Sequence, residues 1–108
     1  MSDYQLLLNL VSDAPDCRDI DEYIAECGST LPTENVHVAV DALQNIWAYA
    51  HTPGFPAILA ASGLSLAAFA RRYDVPLRSV EDWNAGRREA PRYVLDLLMS
   101  AVLGDLLE

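Results

Sequence analysis

Six of the seven arginines, Arg71, Arg72, Arg78, Arg87, Arg88 and Arg92, fall between residues 71 and 92, and the chain has no lysine. Guanidinium groups gathered on one segment create a local positive potential, the kind that attracts a polyanion such as nucleic acid. Against them the segment 64–92 sets only Asp74, Glu81, Asp82 and Glu89, leaving it at +2, although the whole chain of 108 residues carries −9. The excess of acid lies in the first half, where residues 1–62 hold nine carboxylates against Arg18 alone, a net of −8. Arg71 and Arg72 suit a phosphate-binding role and a solvated face paired with Asp74 equally well. Arg78, Arg87, Arg88 and Arg92 are expected to meet nucleic acid rather than carboxylates of the same chain.

Other residue types offer less chemistry. Cys17, Cys27, His37 and His51 are four potential zinc ligands, but gaps of nine, nine and thirteen residues lack the close pairs of structural zinc sites. Two cysteines make no disulfide framework, and both read as free thiols, Cys27 on an apolar stripe. His37 lies off the apolar stripe of its helix, and His51 ends that helix, where an imidazolium suits the dipole. Neither has a nucleophile or an orienting carboxylate at a telling spacing, and no glycine-rich phosphate loop occurs. The expectation is a chain with no metal, no cofactor and no catalytic activity.

The elements that position the arginines are all helical by periodicity. A length of 108 residues with 52% hydrophobic content fits one domain, or one with a small companion. "DYQLLLNLV" places Leu6, Leu7, Leu10 and Val11 on one side. "DIDEYIAECG" does the same with Ile20, Tyr23, Ile24 and Cys27, and Gly28 is a plausible stop. Thr33 is expected to cap "ENVHVAVDALQNIWAYAH", whose stripe is Val36, Val40, Leu43, Trp47 and Ala50. "FPAILAAS", "LAAFARRY", "PLRSVEDWN" and "RYVLDLLMSAVLGDLL" follow, the last with a buried face through Val94, Leu98 and Ala101. The class is therefore all-α, about seven helices, divided into an acidic helical extension over 1–52 and a domain of four to five helices over 53–108. No apolar run reaches the roughly 18 to 20 residues of a membrane span, and the acidic start is unlike a signal peptide. A soluble, cytoplasmic protein is expected.

Two of these helices form a unit. Leu64, Phe69, Ala70, Val75, Val80 and Trp83 have core spacing, with small Ala70 where two helices cross and Val75 in the turn. Leu77, Arg78, Ser79, Glu81 and Asp82 are left outside. That pattern matches a helix-turn-helix, whose second helix presents its first residues to the DNA major groove.

The stretch "GLSLAAFARRYDVPLRSVEDWNAGRREAP", with the Leu-rich helix after it, resembles the Cro/lambda-repressor-like (XRE-type) helix-turn-helix family. The resemblance covers about residues 55–105 and implies that "SLAAFARRY" supports and "PLRSVEDWN" recognises. It implies further that Leu77, Arg78, Ser79 and Asp82 lie nearest the base edges, with Arg78 suited to a bidentate contact to guanine. Arg87, Arg88 and Arg92 would then contact phosphates. The chain departs from the family pattern at Leu66, where a phosphate-binding Gln is common, and in the two carboxylates Glu81 and Asp82. The function implied is a sequence-specific regulator, a repressor or antitoxin-like autoregulator of bacterial or phage type, binding double-stranded DNA as a homodimer. The −8 of residues 1–62 points instead to an acidic interaction module that docks a basic partner protein on the same scaffold.

Overall fold

The computed structural model describes residues 2–108. Their elements are seven α-helices: α1 (Asp3–Asp13), α2 (Ile20–Cys27), α3 (Val36–His51), α4 (Phe55–Ser62), α5 (Leu66–Tyr73), α6 (Leu77–Ala85) and α7 (Arg92–Leu106). Short 3₁₀ turns at Ala14–Asp16 and Gly28–Thr30 complete them, and no strand occurs among the described residues. The protein is all-α. No helix among the described residues is long and apolar enough to cross a membrane.

Local chemistry sets the helix starts. Ser2 accepts from Gln5 N at 3.1 Å, Asp19 from Glu22 N at 2.9 Å and Ser65 from Ala68 N at 3.1 Å, each satisfying a donor that the helix itself cannot. The cap of α3 differs from expectation. Asn35 Oδ1 accepts from His37 N at 3.0 Å and Val38 N at 3.2 Å, while Thr33 Oγ1 accepts two residues earlier, from Asn35 N. The helix thus starts at Val36, after two extra residues of loop.

α7 is the central strut. It packs on α1, on α4 and, less extensively, on α3. Leu95, Met99, Val102 and Leu103 are its buried apolar residues, and Leu6, Leu7 and Leu10 are those of α1. The boundary expected at residue 52 falls in the turn between α3 and α4, and the buried residues on its two sides join in one core cluster from Leu6 to Leu103.

Two apolar stripes are rotated from where periodicity places them, although Leu43 is fully buried and Trp47, Ala50 and Leu98 still pack against the core. In α3 the buried residues are Ala39, Ala42, Leu43, Ile46 and Tyr49, whereas Val36 is 71% exposed. In α7 the inner face includes Asp96 and Ser100, and Ala101 is exposed. One contact links both shifts. Tyr49 is fully buried, and its hydroxyl donates to Asp96 Oδ1 at 2.7 Å, so each supplies the polar partner that lets the other face inward. Arg92 Nε adds a second donor to Oδ1 at 3.1 Å, and its guanidinium carbon lies 5.5 Å from the centre of the Tyr49 ring. Burial, then the bond to Asp96, pushes the Tyr49 phenol well above its ordinary range.

The cysteines are structural. Both are buried and unpaired. Burial, then the charges of Glu26 and Glu22, pushes the Cys17 thiol up to about 11, and burial also raises Cys27. A thiol that stays protonated is a poor nucleophile.

Tyr49→Phe is expected to lower the unfolding free energy by about 1–3 kcal/mol, since the ring is kept and only the donor to a buried carboxylate is lost. A urea midpoint equal to that of the parent would contradict this role. The native Cys17 thiol should resist iodoacetamide at pH 8. Its folded pKa of about 11 lies above the ordinary 9.0, so the stability it lends is complete below pH 9 and lost as pH rises towards 11. Melting temperatures measured across that window should fall less steeply in Cys17→Ala.

Candidate nucleic-acid interface

The helix-turn-helix unit is built by α5, the turn 74–76 and α6. Ser65 caps α5 at its start, and Asp74 ends it in the left-handed conformation, φ 54° and ψ 48°. That reversal lets Val75 N donate to Ala70 O at 3.0 Å and turns the chain into Pro76, after which α6 begins. Asp is among the few residues that reach this conformation at low cost, through its short polar side chain.

Aromatic packing fixes where α6 lies. The Phe55 ring of α4 meets Phe69 of α5 edge-on at 5.0 Å and Trp83 of α6 at 5.8 Å. Val80 is fully buried, while Val75 and Trp83 are half-buried against the same core. With Val80 and Trp83 inside, helical geometry turns the first-turn residues outward. Leu77 is 44% exposed, Arg78 and Glu81 are exposed, and Ser79 is half-buried.

The charges divide into two groups. Arg72 is engaged with α7: its Nε donates to Asp105 Oδ2 at 3.2 Å and its Nη2 to Oδ1 at 2.6 Å, beside the Tyr73 hydroxyl on Oδ2 at 2.7 Å. The hydrogen bonds to Asp105 raise the Arg72 pKa further, so its charge is permanent. Arg87 Nε donates to Asp82 Oδ1 at 2.9 Å, and Arg92 is held by Asp96. Arg71, Arg78 and Arg88 are exposed and make no ion pair among the described residues.

Of the seven residues assigned to the interface from sequence, Leu77 and Arg78 stand open on the first turn of α6, and Arg88 stands open just beyond its end. Arg87 and Arg92 are half-exposed within their pairs, at 63% and 51% of the side chain. The carboxylates they hold are only 13% and 11% exposed, so both pairs are kept and any phosphate contact falls to the outer nitrogens of each guanidinium. Asp82 is different. Its side chain is 13% exposed, and besides holding Arg87 Nε its carbonyl accepts from Arg87 N at 3.0 Å and Arg88 N at 3.4 Å. It closes the end of α6 instead of facing outward. The five-residue step from Asp82 to Arg87 passes through Gly86 at φ 76°, so no helical spacing signals the contact. Glu81 takes the outward place, and exposure beside Arg78 is what distinguishes it.

Leu66, at the family's Gln position, is half-buried against the core. α2, which carries Asp21, Glu22 and Glu26, packs on α3, whereas α6 packs on α5 and α4. A cleft of about 780 Å³ lies between α5 and α7, but its Arg72, Tyr73 and Asp105 are already bound to one another. No group of three or more His, Cys, Asp or Glu placed to hold a metal occurs among the described residues.

Because Asp74 occupies the left-handed position, Asp74→Val should destabilise the chain by about 1–2 kcal/mol and Asp74→Gly should not. Urea unfolding of both variants checks this, and equal midpoints would refute the role given to the turn. No protein-family model matches this chain, and no curated protein or solved structure is found to match it.

Proposed function

We propose that this chain is a sequence-specific regulator that binds double-stranded DNA, with α6 entering the major groove by its first turn. The observation that carries the reading is the state of Arg78: exposed, on the first turn of a helix whose opposite side is locked by Val80 and Trp83, and in no ion pair among the described residues. A guanidinium so placed has its donors available to guanine O6 and N7. Arg87, Arg88 and Arg92 follow α6 and supply phosphate contacts. The resemblance of residues 55–105 to XRE-type regulators supports the same assignment. Two copies related by a two-fold axis meet half-sites one helical turn apart, about 34 Å. The acids of the first half oppose binding only at long range, because exposed charges are screened beyond about 8 Å at physiological salt.

A second reading, an acidic module that docks a basic protein, draws on the exposed carboxylates Asp13, Asp16, Asp19, Asp21, Glu26 and Glu34. The two readings part on DNA. Selection from a random duplex pool at low salt should enrich one motif with two related half-sites. Arg78→Ala should weaken binding to that motif about tenfold to a hundredfold, and Arg88→Ala should weaken all duplexes alike. Three phosphate contacts per copy set the slope of log K against log salt near −2.7, or about −5 for a dimer. No enrichment, together with no effect of Arg78→Ala, would leave the interaction module standing instead.

A further inference from the structure

We infer that α6 reads a half-site through the pair Arg78 and Glu81, with guanine taken by the arginine and cytosine by the glutamate. The inference rests on the DNA-binding reading and adds which bases are chosen.

Glu81 is exposed, and neither it nor Arg78 has a hydrogen-bond or ion-pair partner among the described residues. They stand three residues apart on α6, so their side chains are neighbours on one face. Asp82, the other carboxylate of the helix, is withdrawn by Arg87 and by the turn it closes. One cationic and one anionic group are therefore left to face the bases.

The chemistry of the groove edges assigns them. Guanine offers two acceptors, N7 and O6, which fit two parallel guanidinium donors. An ionised carboxylate is acceptor-only. Thymine and guanine present acceptors to it, and adenine sets the N7 acceptor beside its N6 donor. Cytosine alone offers a donor, N4, with no acceptor next to it on that edge. A carboxylate is also repelled by the phosphates of every sequence, so Glu81 favours binding only where cytosine N4 lies opposite. Three residues of helix rise about 4.5 Å, against about 3.4 Å for a base step. The two side chains accordingly meet one G·C pair or two adjacent ones.

The test is selection of the full chain and its variants against a random duplex pool. The parent should enrich a half-site containing G and C in the same or neighbouring columns. Glu81→Gln should move one C column to A, because a Gln amide both donates to N7 and accepts from N6, and should bind the parent motif about tenfold or more weakly. Glu89→Gln, an exposed residue outside α6 with the same change in charge, should leave the motif as it was. Circular dichroism confirms that each variant folds. A Glu81→Gln motif identical to that of the parent overturns this inference and leaves DNA binding intact. A parent that enriches no motif overturns both.

Discussion

The placement of α5 and α6 turns on Phe55. One aromatic ring from α4 touches Phe69 of α5 and Trp83 of α6, so the two helices of the unit are held by the same side chain as well as by each other. Aromatic pairs of this geometry add about 0.5–1.5 kcal/mol beyond the area they bury. Their larger effect is directional. Trp83 and Val80 claim the inner side of α6, and residues on the opposite side are put into solvent. Arg78 and Glu81 are exposed for that reason.

A second constraint acts from α7. Its two carboxylates, Asp96 and Asp105, each receive a tyrosine hydroxyl and an arginine: Tyr49 with Arg92, and Tyr73 with Arg72. A buried or half-buried carboxylate needs such donors to remain inside. The consequence for charge is selective. Arg72 is tied to Asp105 by two bonds at the far end of α7, and Arg92 keeps its aliphatic stem and Nε near Asp96. Arg71, Arg78 and Arg88 are the arginines in no ion pair among the described residues. The same segment also exposes Asp74, Glu81 and Glu89, none of them in an ion pair among the described residues, so attraction for an anion is local to each guanidinium and does not come from a net positive surface.

The helices and most of the unit were legible in sequence, because 3.6-residue periodicity, Ser and Asp caps, and Gly or Pro stops act locally. The stop at Gly28 and the core positions Phe69, Ala70 and Val80 all follow from that reading. The stripes of α3 and α7 did not, and Tyr49 and Asp96 explain why. Their mutual bond spans 47 residues, and periodicity scores each as polar until the partner is known. The same blindness affected the interface. Asp82 and Glu81 are adjacent acids with no local signal to separate them, and only the turn at Gly86 brings Arg87 back to claim the former. Thr33 was expected to cap α3, and Asn35 does so because the loop runs two residues further.

The central proposal is spatial: DNA would meet the edge formed by the first turn of α6 and the segment that follows it. Amide chemical shifts of the full chain, recorded with and without a mixed-sequence duplex at low salt, test it directly. Perturbations concentrated at residues 77–92 and absent from 13–34 are the expected result. Perturbations confined to 13–34, or none at all at saturating duplex, would contradict it.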